Sequence, residues 1–231
     1  AFGGKDKKII DPAACSLECV HTYSLIHDDL PCMDDDDLRR GMPTLHKKYG
    51  ETMAVLAGDA LHDMAFNLIA RTGSARVVSE LTAATGTYGM LGGQVADIEA
   101  EGKSVSLDDV RFIHSRKTAA LIRASVRIGA ILAGIDDDAL EMLSLYGEKI
   151  GLAFQIVDDM LDVSGDQRKL GKKVGADCKK LKATYPGAAG MDRAAKDADI
   201  LIDEAIDICR KFDIEADHFV FIARYIGARE S

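Results

Sequence analysis

Six aspartates, Asp28, Asp29, Asp34, Asp35, Asp36 and Asp37, fall within ten positions, and Arg39-Arg40-Gly41 closes the run. An ordinary stretch of like charge is solvated and carries no chemistry. This one is threaded with residues that demand burial: Leu25, Ile26, Leu30 and Met33. Carboxylates tied to a buried face repel one another unless cations lie between them, and an all-oxygen set suits a hard divalent ion such as Mg²⁺. Arginine adds fork-shaped donors that match phosphate oxygens. Carboxylate, hard metal and arginine together point to a diphosphate ligand.

A second cluster stands far along the chain, Phe154-Gln155-Ile156-Val157-Asp158-Asp159-Met160-Leu161-Asp162. Asp158 and Asp162 are four apart, so on a helix they share a face. Asp159 lies about 100° round from Asp158, where it would flank a metal or reach it through water. One such cluster would read as an acidic, solvated helix face. Two, each following an apolar helical run, argue for a shared purpose.

The elements that position these clusters read as helices. Pro12 suits the first turn of a helix that runs through Leu17 and Val20 into the first cluster. Pro31 cannot continue that helix, and Asp34, six positions past Asp28, needs a bulge there to reach the same metal group. A second helix is expected from Met53 to Ile69 and a third from Ala75 to about Ile98, with Gly86, Gly89, Gly92 and Gly93 on it. Glycine inside a helix costs about 0.5–1 kcal/mol relative to alanine, so four of them imply close packing or a pocket. Ser106-Leu107-Asp108-Asp109 caps the helix that carries Lys117-Thr118. The next helix starts at Asp136 to Ala139 and passes through Gly147 and Gly151 to the second cluster. Helices at 191–212 and 217–228 follow a glycine- and lysine-rich loop. No strand-like alternation is sustained, and the expected architecture is a single all-α domain with helices around a central cavity.

Composition narrows the function. The 231 residues are 47% apolar, enough for a sizeable core, and carry a net charge of −9, which excludes sequence-independent nucleic-acid binding. No apolar run reaches the roughly 18 residues of a membrane span, and no signal peptide opens the chain. Five cysteines without secreted-scaffold spacing indicate reduced thiols in a cytoplasmic setting, with Cys15 and Cys19 read as core thiols with a surface option.

With both clusters in place the chain resembles the trans-isoprenyl diphosphate synthases, the farnesyl and geranylgeranyl diphosphate synthase family. Asp28-Asp29-x-x-x-x-Asp34 through Leu38-Arg39-Arg40-Gly41 is similar to the family's first aspartate-rich motif in its longer form, and Phe154-Gln155-x-x-Asp158-Asp159-x-x-Asp162 to the second. Gly92-Gly93-Gln94, Lys117-Thr118, Leu170-Gly171-Lys172 and Lys182-Ala183-Thr184-Tyr185-Pro186 follow in family order. The resemblance spans the whole chain and implies one polyprenyl synthetase domain over residues 1–231.

It implies a Mg²⁺-dependent condensation of an allylic diphosphate with isopentenyl diphosphate by ionisation, attack and proton loss. Three Mg²⁺ would be held directly by Asp28, Asp34 and Asp158, with Asp29, Asp159 and Asp162 in support. Arg39, Lys117, Lys172 and Lys182 would hold the allylic diphosphate beside Thr118 and Gln155. Arg40 and His21 would bind isopentenyl diphosphate. Taken singly, His21 would pass for a surface histidine and Lys172 or Lys182 for loop lysines; only their order around the aspartates lifts them. A homodimer is implied too, with the helix from Met53 to Ile69 a contributor.

Gly3-Gly4-Lys5 resembles the family's Gly-Gly-Lys-Arg segment, but Asp6 stands where arginine belongs and Asp28 follows too closely. The true segment is expected upstream, on helices missing from this chain, which opens on Ala-Phe-Gly-Gly rather than methionine. For product length, Tyr23 and Ser24 lie about 6–7.5 Å below Asp28 along a helix. The resemblance implies that an aromatic ring there floors the growing product, giving farnesyl diphosphate, with geranylgeranyl diphosphate as runner-up. A non-catalytic subunit of a heterodimeric synthase is the other alternative, and a terpene cyclase lacks the paired motifs.

Overall fold

The computed structural model describes residues 6–164, 182–211 and 216–229, whose regular structure is helical apart from one short hairpin. They group into two compact units, one ending at Val78 and one beginning at Ser79.

The first unit holds α1 (Lys7–Asp28), β1 (Leu38–Arg39), β2 (Met42–Pro43), α2 (Leu45–Tyr49) and α3 (Glu51–Ala70). Helix α1 begins earlier than Pro12 suggests, because Asp6 caps it: its carboxylate accepts the Lys8 N–H at 3.0 Å. Pro12 therefore lies inside the helix, where its ring replaces one donor. α1 packs along α3, and Val20, Ala54, Ala65 and Ile69 are fully buried. A side chain at Gly58 would put its Cβ 2.0 Å from Nε2 of His27, which sits 3.1 Å from the Val55 carbonyl. Glycine there lets α1 seat its histidine against α3.

Three expectations change in this unit. Leu45–Tyr49 form α2, a helix the sequence reading does not include, and the hairpin β1–β2 is present although two residues per strand leave no alternation to read. Cys15 is exposed and Cys19 only partly covered, so of the two readings of the pair the surface one holds and the core one does not. By length and composition, α3 is also apolar enough to cross a membrane. Asp59 and Asp63 stand near its middle, where a charge costs about 2.5–3.5 kcal/mol in a bilayer.

The expected third helix is two. α4 (Ala75–Thr85) stops at Gly86 and α5 (Met90–Ala100) restarts after Gly89. The break brings backbone so close that a Cβ on Gly89 would lie 2.0 Å from the Ala84 carbonyl oxygen.

The second unit continues with α6 (Leu107–His114), a single π turn (Ser115–Ala119), α7 (Ala120–Leu132), α8 (Asp137–Ser164), α9 (Tyr185–Ala189), α10 (Met191–Cys209) and α11 (Asp217–Gly227). The capping box at α6 is present: Ser106 Oγ accepts from the Asp109 N–H and Asp109 accepts from the Ser106 N–H. The 28-residue α8 organises this unit, packing on α7 and α10. Its Tyr146, Ile150 and Ala153 meet Ile202, Ala205, Ile206 and Cys209 of α10, and Ala223 and Ile226 of α11. Its later residues Ile156 and Val157 meet Val110, Ile113, Tyr185, Ala194 and Ala198. Gly147 and Gly151 let α7 and the π turn lie against it, since Cβ atoms there would fall 2.8 Å from Arg123 Cα and 2.6 Å from Ala119 Cα.

Candidate active site

The first aspartate cluster is built by the way α1 ends. Asp28 is its last residue and Asp29 its cap. The chain then turns back so that the Asp34 N–H donates to the Asp28 carbonyl at 2.7 Å and the Asp35 N–H to that of Leu30 at 3.0 Å. This is the bulge that Pro31 requires, and it returns Asp34 to the backbone of Asp28. Asp35 completes the turn at φ +48°, a conformation aspartate tolerates better than most residues.

The hairpin that follows separates the two arginines. Arg40 (φ +52°) and Gly41 (φ +76°) form its two-residue turn, both in the left-handed region that such turns need. Arg40 points to solvent. Arg39, one residue earlier, folds onto Asp29: Nε donates at 3.1 Å and Nη2 at 2.5 Å, both to Oδ1. Asp29 is only 4% exposed. Burial pushes its carboxyl up, against the opposing pull of Arg39. Thr44 Oγ1 donates to the Asp36 carbonyl at 2.8 Å, and Lys47 pairs with Asp37 at 2.9 Å, tying the outer aspartates to α2. His21 belongs to the same neighbourhood. Burial holds its imidazole low, opposed by Glu18 and reinforced by Arg40 and Arg39.

Below Asp28 on α1, Ser24 turns its hydroxyl back to the His21 carbonyl at 2.9 Å. Tyr23 is buried, 5% exposed, with His62 edge-on at 5.1 Å and His27 at 5.8 Å. Among the described residues its hydroxyl has no hydrogen-bond partner.

In the second unit Asp158 keeps about a third of its side chain exposed, 35%, with Arg229 Nη2 at 3.7 Å. The Arg229 guanidinium lies 4.4 Å over the Phe154 ring. Asp159 and Asp162 are buried at 3% and 1% exposure. Asp159 is engaged on both oxygens: Oδ1 accepts from Gln155 Nε2 at 2.8 Å, and Oδ2 from the Tyr185 N–H at 2.7 Å, with His114 Nε2 at 3.4 Å. Burial pushes His114 down to about 4, so it stays neutral. Asp159 thus braces the second cluster from within.

Lys117 and Thr118 project from the π turn, a local widening common at functional positions. Gly93 admits that turn, because a Cβ there would lie 2.2 Å from the Lys117 backbone nitrogen. Lys117 Nζ donates to Asp97 Oδ2 at 2.6 Å. Thr118 Oγ1 donates to Gln155 Oε1 at 2.6 Å, which joins it to Asp159 through one amide. Lys182, partly buried, stands three residues before Tyr185; Lys172 and the Leu170-Gly171-Lys172 segment lie outside the described residues.

Asp97, Arg111, Tyr185, Asp197 and Arg229 join the site's framework without having been singled out from sequence. Asp97 is 20 positions from Lys117 and Arg111 is 74 from Tyr185, so no local spacing links them. Tyr185 alone had a signal, its place in the Lys182–Pro186 segment.

Among the described residues no three His, Cys, Asp or Glu side chains form a closed metal cage. The donor set is nonetheless all carboxylate, and Mg²⁺ keeps several waters and is held by one or two carboxylates together with substrate phosphates. Each cluster by itself offers carboxylates of that kind, Asp28 and Asp34 where α1 ends and the partly exposed Asp158 on α8.

A family model described as polyprenyl synthetase matches residues 1–218. The chain is 52% identical to a farnesyl diphosphate synthase of Escherichia coli (strain K12) over 211 residues, 87% of this chain and 71% of that one. It is 46% identical to a farnesyl diphosphate synthase of Bacillus subtilis (strain 168) over 235 residues, 98% and 79% of the two chains. Among solved structures, a geranyltransferase from Helicobacter pylori complexed with magnesium and isoprenyl diphosphate superposes with a TM-score of 0.83 at 38% identity, over 93% of this chain and 72% of that one. Likeness of this extent, in sequence and in the all-α fold, leads to one conclusion: the chain belongs to the polyprenyl synthetase family.

Proposed function

We propose that this chain is a short-chain prenyltransferase, condensing dimethylallyl or geranyl diphosphate with isopentenyl diphosphate to give farnesyl diphosphate. The observation that carries the reading is the fold-back of Asp34 onto Asp28 beside the Arg39–Asp29 pair. It gathers acceptors for a hard cation and a donor for phosphate oxygens at the end of one helix.

In this reading Asp28 and Asp34 from one cluster and Asp158 from the other would hold Mg²⁺, three ions with diphosphate bound. When present, the metal offsets the negative charge that gathers on the departing diphosphate. Arg39 and Lys117 supply preorganised positive charge to the same oxygens, usually the largest catalytic contribution. Lys172 and Lys182 add to it, and Thr118 and Gln155 line that side. Arg40 and His21 take isopentenyl diphosphate. The allylic C1–O bond breaks, the isopentenyl double bond forms the new C–C bond, and a proton leaves to regenerate an alkene. Apolar helix faces keep water from the cation meanwhile.

The buried Tyr23, fixed by His62 and His27, supports a C15 limit. A homodimer in the cytoplasm completes the proposal. Incorporation of radiolabelled isopentenyl diphosphate into extractable product, with Mg²⁺ and with excess EDTA, tests it. Label should enter product only with the metal. A chain that incorporates none even with Mg²⁺ is not a synthase on its own, which is the outcome a non-catalytic subunit gives.

A further inference from the structure

Tyr185 is fully buried, so it meets no substrate, yet it is bound far more heavily than packing requires. Its hydroxyl accepts from Arg111 Nε at 3.0 Å and Nη2 at 2.9 Å, and donates to Asp197 Oδ2 at 2.7 Å. Asp197 is held in turn by Arg193 Nε at 2.7 Å. The ring lies beneath Arg111 and stacks near His114, at 5.7 Å and 6.2 Å. The other end of the residue does something different: its backbone N–H reaches Asp159 Oδ2 at 2.7 Å. Tyr146 offers the comparison. It is equally buried and satisfied by a single bond, from its hydroxyl to the Phe219 carbonyl at 2.8 Å.

We propose that Tyr185 is a positioning residue for the allylic-diphosphate side of the site, clamped at its hydroxyl by Arg111 and Asp197 so that its amide fixes Asp159. The inference rests on the prenyltransferase reading above. Asp159 passes the constraint to Gln155 and Thr118 through bonds of 2.8 and 2.6 Å. Lys182 lies three residues upstream, within about 10 Å of chain, so the same clamp limits where it can reach. Without the hydroxyl, Arg111 and Asp197 retain each other at 3.2 Å, but the backbone of residue 185 loses its tether. The network then stays folded while the groups it aims go slack.

The test is calorimetric binding of geranyl diphosphate in the presence of Mg²⁺, and separately of isopentenyl diphosphate, to the full chain and to Tyr185→Phe, Arg111→Lys and Tyr146→Phe. Tyr185→Phe should lose about ten-fold or more in affinity for geranyl diphosphate, the loss typical of a group that orients a ligand-holding residue. Isopentenyl diphosphate affinity should not change. Arg111→Lys, which keeps the charge but loses the fork, should move the same way and serves if Tyr185→Phe does not fold. Tyr146→Phe should stay near wild type although it too loses a buried hydroxyl bond. Wild-type affinity in Tyr185→Phe or Arg111→Lys, or an equal loss in Tyr146→Phe, overturns the proposal. A wild-type chain that does not bind geranyl diphosphate at all overturns the prenyltransferase reading itself, and the clamp with it.

Discussion

Arg39 reaches back ten positions to grip the buried Asp29, with Nε at 3.1 Å and Nη2 at 2.5 Å from one carboxylate oxygen. The pair joins the hairpin to the end of α1, and so sets where Asp28 ends and where Arg39 begins. Removing the carboxylate in Asp29→Ala leaves Arg39, 31% exposed, with the looser contact to Asp36 at 3.9 Å. The expected loss of stability is about 2 kcal/mol, below that of a fully buried broken pair because water reaches part of the arginine. Urea unfolding measures it, and Arg39→Lys, which keeps the charge but not the fork, should fall between the two.

Gly93 and Gly129 predict opposite signs for the same substitution. A methyl at Gly93 meets the Lys117 backbone nitrogen at 2.2 Å, whereas at Gly129 nothing lies within 4 Å. Gly93→Ala should destabilise by about 1–3 kcal/mol as the π turn is pushed away. It should also weaken geranyl diphosphate binding. Gly129→Ala, in the last turn of α7, should stabilise by about 0.5 kcal/mol. Thermal melts of the two variants side by side decide it.

Tyr23→Ala tests the proposed limit on product length. Tyr23 stands about 7.5 Å along α1 from Asp28, with its ring held by His62 and His27. Opening that space should shift the product from C15 to C20 or longer on reversed-phase chromatography. An unchanged product length removes Tyr23 from the explanation.

Cys209 predicts a pH dependence. Burial pushes its thiol up to about 11 from an ordinary 9.0. The folded state then holds a proton that the unfolded chain gives up, so this contribution is complete below pH 9 and is lost as pH rises from 9 towards 11. The urea midpoint should fall over that window, and fall less in Cys209→Ala. In the native protein at pH 8, Cys15 and Cys32, both exposed, should react with a thiol reagent well before Cys209.

What could be read from the sequence was what is local. The two aspartate clusters, the cap at Ser106 and the closeness demanded by Gly89 and Gly93 all rest on residues a few positions apart or on missing side chains. The hairpin was invisible because two-residue strands show no period, and the π turn because one extra residue in a helix has no compositional mark. Pro12 misled because a preference for first turns is weaker than an aspartate cap six residues upstream at Asp6. Asp97 with Lys117, and Arg111 with Tyr185, are tertiary pairings, and only packed helices bring them together.

Whether the two aspartate clusters carry the reaction is measured directly by pyrophosphate release from geranyl diphosphate and isopentenyl diphosphate under Mg²⁺. The wild-type chain should release one pyrophosphate for each new carbon–carbon bond. Asp28→Ala and Asp158→Ala should each slow it about a hundred-fold or more, the scale for losing a preorganised charge at the reacting group. Either variant turning over at the wild-type rate while folded would contradict that role.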